Sequence, residues 1–472
     1  MGLIVIFLLL IVATLFAARA VRPALLTAVF LAPWSGLQAD FGVTVYAFQL
    51  ILLPLVGVVL VRSLSHSPPR LAAGGLLSLF AFYTVVLSLV VIGFLPDADV
   101  SGGALRGPTG RAAVQIIVFL FTLSPAVIVP LVVGRDDLAA CGRIFVASAV
   151  VLAVIGWGQL AIWYAIGSNP IDVSRISAAL GGNDVYSHEG LFDFAKLAIY
   201  RMNSLAGEPR GLGITLVLAM LIIQAFALTA RRPRALRLLG LWLFLLVSTM
   251  ATYSTSAVLA WLIGSAVQPP AMWLMGIRSR RSTISIIGAL LVIAAPIGVG
   301  IAGAEASGVP VIELLSERTI DRIDENGAVE DFDLAILDFL EAHPDAAIAG
   351  TGLGNIHLYA TAYLDPVFAL YAQGSVFAAK TEYLRLISES GLIGFVLFIA
   401  WYTQLMFEAA RGLRPEAELS AMIPVGAVMA VLFFARAEVA NEFWLMAGLL
   451  AAGVRLANRP VYAPPPARLA AA

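Results

Sequence analysis

Apolar runs of about 20 residues, long enough as helices to cross a hydrocarbon core of roughly 30 Å, recur along the whole chain. They fall near residues 3–19, 22–35, 42–61, 71–95, 112–133, 144–166, 211–230, 237–252, 254–275, 283–304, 381–409, 418–435 and 440–455. A chain of 472 residues that is 60% hydrophobic and 12% charged lacks the polar surface to cover a soluble fold of that size. The pattern predicts an all-α polytopic membrane protein with about 12–14 transmembrane helices, 1–472 forming a single membrane domain. The count carries that range because 22–35 is short for a crossing and 237–275 reads equally as one broken hairpin.

Orientation follows from where the basic residues lie, since the net charge of -1 is silent. The compact connections R-P-R-A-L-R (232–237), R-S-R-R (278–281) and R-G-L-R (411–414) alternate with long polar loops, which places the clusters inside and the long loops outside. The run 3–18 has Arg19 and Arg22 after it rather than a basic segment before it, the reverse of a secretory signal peptide. It reads as a retained first helix with the N-terminus outside and, on the helix count, the C-terminus inside. The sole cysteine, Cys141, excludes a disulfide framework and reads as a small core or surface residue.

Two outside loops are long enough to fold over the membrane, 167–210 and the larger 305–380. In the first, Asp193 to Arg201 reads as a helix lying at the interface. In the second, Val329 to Glu341 reads as an amphipathic helix, with Phe332, Ile336, Phe339 and Leu340 opposite Asp331, Asp338 and Glu341, and Pro344 ends it. The tail 459–472, with Pro464 to Pro466, reads as disordered. No P-loop or Rossmann fingerprint is present in the sequence, and nothing in it points to nucleic acid.

Three constellations carry candidate chemistry. Arg201 and Arg210 flank the first loop's return to the membrane, Arg318 and Arg322 stand at i and i+4 in the second, and Lys380 opens the run 381–409. Such cations at an apolar boundary fit a diphosphate whose lipid tail lies in the bilayer, or equally salt bridges to the neighbouring acids. The turn G-T-G-L-G-N (350–355) with His357 reads as an anion cradle or as a plain turn. With no second histidine at ligand spacing, a metal site has no support. Glu382, Arg385 and Glu389 share one helical face that must meet protein or a polar cavity, as an active-site stripe or as a structural ion-pair ladder. Arg436, Glu438 and Glu442 in the last outside turn carry the same pair of readings.

The order of these stretches resembles the O-antigen ligase and O-antigen polymerase superfamily. The resemblance rests on R-x6-E-P (Arg201 to Pro209), H-P-x5-G-x-G-x-G (His343 to Gly354), T-x9-G-x-x-G (Thr381 to Gly394) and T-Y-S-T-S (252–256), over roughly residues 200 to 410. It implies a GT-C-like glycosyltransferase of the bacterial inner membrane, with an N-terminus and large loops in the periplasm and a cytoplasmic C-terminus. Its donor would be undecaprenyl diphosphate-linked oligosaccharide, used with inversion and with neither cofactor nor metal; a chain-length regulator is a candidate partner. Arg201, and Arg318 or Arg322, match the family's diphosphate-contacting arginines. The chain departs from the family at Lys380–Thr381, where ligases carry a histidine followed by Asn, Ser or Gln, and this favours a polymerase over a ligase. Transfer from a diphosphate needs leaving-group stabilisation, for which Arg201, Arg210, Arg322 and Lys380 are candidates, and an oriented or deprotonated acceptor hydroxyl, for which Glu208, Glu382, His357 or Lys380 are candidates. A transporter or flippase of lipid-linked glycan is the reading from another class; it calls for deep charges and broken mid-membrane helices.

Overall fold

The computed structural model describes residues 19–40, 44–65, 71–94, 108–168, 191–194, 197–229, 232–274, 331–365, 379, 381–412 and 440–457. Helices dominate these residues. In chain order they are α1 (Val21–Leu31), α2 (Ala47–Ser65), α3 (Gly74–Val91, extended by a 3-10 turn Ile92–Phe94), α4 (Pro108–Val132), α5 (Arg135–Ile166), α6 (Pro209–Thr229), α7 (Arg232–Ala251) and α8 (Thr255–Leu274). There follow α9 (Asp331–Ala342), α10 (Pro344–Ala349), α11 (Ile356–Ala360), α12 (Glu382–Gly412) and α13 (Ala440–Ala457). Five segments are long and apolar enough to cross a membrane: Gly74–Phe94, Ala112–Val132, Asp136–Ile166, Pro209–Ala227 and Glu382–Arg411. The protein is therefore a helical membrane protein. The expected helices 3–19, 283–304 and 418–435, and the tail 459–472, lie outside the described residues.

The bundle is built around α6. A helix that is apolar on all sides must be surrounded by protein or lipid, and here it is protein: Leu212, Ile214 and the run Leu216 to Ile223 are all buried. Close approach is allowed by small residues, as at Gly213, where an added Cβ would stand 2.6 Å from the Ala257 Cβ of α8. A second knot of packing is aromatic: Trp401 of α12 stacks on Trp444 of α13 with ring centroids 5.2 Å apart, and Phe398 joins them to Phe80 of α3.

The two ends of the bundle differ. At one end Arg22 pairs with Asp137 at 2.8 Å, the Ala73 amide donates to Glu408 at 3.2 Å, and Arg455 donates to the Val133 carbonyl at 2.5 Å, tying together the ends of α1, α3, α4, α5, α12 and α13. The other, here the loop end, carries the connections that contain the candidate residues. A small separate core sits there: Ile336, Phe339 and Leu340 of α9 with Ile356 and Ala360 of α11. Phe339 stacks on Tyr359, whose phenol is pushed above its usual range by burial, and the Tyr363 hydroxyl meets His343 Nε2 at 3.2 Å.

Four sequence expectations change. Asp193 to Arg201 is not an interfacial helix: β3 (Leu191–Phe194) and β4 (Leu197–Tyr200) form an antiparallel hairpin pairing Leu191 with Tyr200 and Phe194 with Leu197. The physical reason is the pair of four-residue apolar and aromatic runs separated by two residues, a hairpin signal. A second hairpin, β1 (Gln38–Asp40) with β2 (Thr44–Tyr46), takes the start of the run 42–61, so α2 begins at Ala47. The amphipathic helix forms as α9, but Pro344 opens α10 at its first position as well as closing α9, since its fixed φ suits a first turn. The helix expected over 381–409 is two helices joined across Gly391, whose φ of 68° and ψ of 178° are non-helical. The break falls where the polar Ser388-Glu389-Ser390 gives way to the apolar run from Leu392.

Candidate functional site

The four motif stretches meet in two pairs at the loop end. The first pair joins R-x6-E-P to T-Y-S-T-S. Residues 252–254 are the reversal between α7 and α8: Tyr253 has φ 48°, and Ser254 caps α8 by accepting the Ala257 amide on its hydroxyl at 3.3 Å. The reversal leaves carbonyls facing out of the helix end. Arg201 Nε donates to the Thr252 carbonyl at 3.2 Å, and the Met202 amide to that of Ala251 at 3.2 Å. Tyr200 is held by stacking on Trp163 of α5, centroids 4.9 Å apart. The chain then turns through Ser204, with φ 51° and its amide bonded to Gln159 Oε1 at 2.8 Å, and through Gly207, with φ 82°. An added Cβ at Gly207 would lie 3.1 Å from the Gly36 Cα, so a side chain there would push the 34–37 turn away. Glu208 is the residue before α6, its carbonyl accepting the Leu212 amide at 3.1 Å, while Pro209 and Arg210 begin the helix. Arg201, Glu208 and Arg210, each half-buried, thus flank the turn that leads into α6.

The second pair joins the glycine turn to the start of α12. The break at Gly391 frees the carbonyls of Ser388 and Glu389, which an unbroken helix would bond to residues 392 and 393. The turn 350–354 replaces those donors: Thr351 N–H bonds the Ser388 carbonyl at 2.9 Å and Gly352 N–H that of Glu389 at 2.9 Å. Leu353 N–H goes to Ser88 Oγ of α3 at 3.0 Å, and Gly354 N–H to Glu389 Oε1 at 3.2 Å. Gly350, Gly352 and Gly354 all have positive φ, and Gly350 and Gly391 pack backbone to backbone: an added Cβ on Gly391 would stand 2.2 Å from the Ile348 carbonyl oxygen. All four amides from 351 to 354 are spent on the protein itself. The anion-cradle reading of this turn is therefore overturned in favour of the plain turn, here a clamp on a broken helix.

The clamp also sits deep. Tyr83 donates to the Ala349 carbonyl at 2.9 Å, and Tyr83 and Ser88 precede the end of the helical segment at Phe94 by eleven and six residues. At about 1.5 Å per residue the turn lies roughly 9–16 Å below that helix end. Non-helical backbone at membrane depth is tolerated only where protein satisfies it, and these hydrogen bonds do so.

Above the clamp, Arg385 lies between Glu389 at 3.2 Å and Glu382 at 3.7 Å, so the stripe foreseen in the sequence is an ion-pair ladder. It carries one carboxylate more than it has cations. Glu389, not among the candidate site residues, binds both Arg385 and the Gly354 amide through one oxygen, which makes it the link between ladder and clamp. Glu382 is 8% exposed. His357 is 5% exposed within α11, where the Thr361 hydroxyl donates to its carbonyl, so it does not stand on an open surface. Lys380, Arg318 and Arg322 lie outside the described residues, as do Arg436 and Glu438. Glu442 is buried in α13 and accepts from Thr215 of α6 at 3.2 Å. Among the described residues no three His, Cys, Asp or Glu side chains gather in a metal-binding group.

Residues on either side of the β1–β2 turn reach one pair each. Gly36 donates to the Leu205 carbonyl at 3.1 Å and Ser35 to that of Ala206 at 2.7 Å, while Tyr46 at the end of β2 lies within electrostatic range of Arg385. No protein-family model and no characterised protein matches the chain.

Proposed function

We propose that the chain is a polymerase of lipid-linked oligosaccharide repeat units, a bacterial inner-membrane glycosyltransferase of the O-antigen ligase and polymerase kind with a GT-C-like architecture. The observation that supports it most is the pairing just described. Stretches whose order carries the resemblance, far apart in sequence, meet two by two at one end of the bundle. On this reading the loop end faces the periplasm and the product is exopolysaccharide, capsule or O-antigen. The donor is glycan on undecaprenyl diphosphate, whose polyprenyl tail stays in the bilayer. Arg201 and Arg210, with Arg318, Arg322 and Lys380, hold the diphosphate. The acceptor hydroxyl attacks the anomeric carbon, the bond from that carbon to the diphosphate oxygen breaks, and undecaprenyl diphosphate leaves as the anion the arginines stabilise. The hydroxyl proton passes to a base drawn from Glu208, Glu382, His357 or Lys380. Burial of Glu382 and His357 leaves Glu208 the most accessible described member of that set.

One observation favours a second reading. A helix broken at Gly391, with a non-helical turn at membrane depth beside Glu389, is the architecture expected of a transporter of lipid-linked glycan. Against it, the turn's amides are already bonded to the protein and line no open path among the described residues. Purified protein in proteoliposomes with fluorescent undecaprenyl diphosphate-linked repeat units separates the readings. The polymerase gives a ladder of longer lipid-linked products. Transfer only on addition of a different glycan acceptor assigns a ligase, and movement of the fluorescent lipid between leaflets without bond formation assigns a transporter.

A further inference from the structure

A groove of about 750 Å3 runs along the outside of the bundle between α3 and the later part of α12. Leu76 of α3 and Phe395, Ile399 and Phe407 of α12 make it apolar over most of its length, and it ends in Gln404, Glu408 and Arg411. These last residues lie at the end of the bundle away from the motif pairs, where Glu408 holds the start of α3. The two charged residues are three apart on one helix and so share a face. Among the described residues, however, they form no ion pair with each other. Glu408 is fixed by two donors, the Ala73 amide at 3.2 Å and Gln404 Nε2 at 2.7 Å, one on each oxygen, which leaves its negative charge uncompensated by any described cation. Arg411 is exposed.

We propose that this groove binds a zwitterionic aminophospholipid, with an acyl chain along the apolar wall, the phosphate on Arg411 and the primary ammonium on Glu408. The match is of charge and of shape. An apolar channel leading to a guanidinium without an ion-pair partner among the described residues would take any phospholipid; the adjacent fixed carboxylate selects one that brings a hydrogen-bonding cation beside its phosphate. A wholly anionic headgroup would meet repulsion from Glu408, and a quaternary ammonium has no N–H to donate to it. This proposal is independent of the reaction assigned to the loop end.

The test uses the full-length protein reconstituted in nanodiscs containing equal amounts of phosphatidylethanolamine and phosphatidylcholine, with retained lipid read by native mass spectrometry after detergent exchange. The wild type is expected to retain phosphatidylethanolamine over phosphatidylcholine by about tenfold, the scale of one charge-assisted hydrogen bond. Glu408→Gln removes the charge, keeps a carbonyl oxygen for the Ala73 amide and can donate its new NH2 to the Gln404 side-chain oxygen once that amide turns over, so the ratio falls to about one while total retention holds. Arg411→Ala lowers retention of both lipids by about tenfold with an unchanged Tm, since Arg411 supports no described contact. Equal retention by the wild type, a ratio unmoved by Glu408→Gln, or tighter retention of phosphatidylglycerol would overturn the proposal. So would efficient disulfide cross-linking of Phe407→Cys between two copies, which would give the face to a second chain.

Discussion

The two motif pairs at the loop end solve different problems with similar-looking residues. At 350–354 three glycines supply backbone amides, and all four amides from 351 to 354 close onto Ser388, Glu389 and Ser88. At 201–210 the anchors are spread over three neighbours, Met202 on Ala251, Ser204 on Gln159, and Leu205 and Ala206 on the 35–36 turn, and charged side chains stand at its two ends. The first pair is a structural joint that lets a helix break inside the bundle. The second holds cations at the start of α6 on a turn whose backbone is bonded to its neighbours. A glycine-rich turn beside a histidine is thus a poor guide to a binding site when the donors it exposes are needed by the fold. The glycines build the frame, and the arginines remain the candidates for chemistry.

The largest effect that separates the two pairs is expected at the joint. Gly391→Ala places a Cβ 2.2 Å from the Ile348 carbonyl oxygen, at a backbone conformation nearly reserved for glycine. The loss should be about 4 kcal/mol or more, read as little folded protein in detergent extracts and a large fall in Tm. Gly240→Ala is the control, because nothing lies within 4 Å of its added Cβ. It should leave Tm within the range of a neutral helix substitution. If Gly391→Ala folds normally, the joint is not the element that orders the loop end.

The arginine turn is expected to respond in the opposite way. Arg201→Ala removes the hydrogen bond to the Thr252 carbonyl at a half-buried site that water can reach, so Tm should fall by less than at the joint. Product formation from lipid-linked repeat units should fall by about 100-fold or more if the guanidinium stabilises the departing diphosphate. Equal losses of stability and activity would place Arg201 in the frame with the glycines and erase the contrast.

How much of this is legible in the sequence depends on the range of the interaction. The helices of the bundle are, because apolar length is set by the bilayer: α3, α4, α6, α7, α8 and α13 lie where the runs predict them, and α12 does apart from its break at Gly391. The ladder of Glu382, Arg385 and Glu389 is legible too, since it depends only on helical spacing. The hairpin 191–200 is missed because its short apolar runs fit a helix as well as paired strands. The destination of the glycine turn's amides is not legible at all: Leu353 bonds a serine 265 positions earlier, and local spacing says nothing about that partner. Burial of His357 is hidden for the same reason, as it depends on tertiary packing around α11 and not on local spacing.

Arg385 tests the ladder that rests on the joint. Removing it leaves Glu382 and Glu389 facing each other, both largely buried, with Glu389 still bonded to the Gly354 amide. Breaking a buried ion pair on one side costs about 3–5 kcal/mol, and the side chain's 30% exposure moves the expectation for Arg385→Ala to the lower end or below. Arg385→Lys keeps the charge and should recover much of the Tm. A fall in Tm equal for Ala and Lys would mean that the guanidinium's geometry, and not its charge, holds the ladder.

The smallest effect tests whether the turn is bonded at depth. Ser88 Oγ accepts the Leu353 amide while donating to the Thr84 carbonyl of its own helix, and both Ser88 and Leu353 are buried. Ser88→Ala strands the Leu353 N–H where no water of the bilayer core can replace the acceptor, a cost of about 1–2 kcal/mol. Ser124→Ala removes a hydroxyl of the same kind from α4, but one that only donates back to the Phe121 carbonyl of its own helix. That substitution should stay within about 0.5 kcal/mol of the parent, because the carbonyl's helical bonding survives. A measured difference of about 1 kcal/mol in detergent-denaturation stability between the two serines is therefore the signature of the clamp, and hydrogen exchange at Leu353 faster in Ser88→Ala than in Ser124→Ala would locate the loss there. Identical stabilities would mean that the turn lies in water and that the Gly391 break faces an aqueous loop, not the membrane interior.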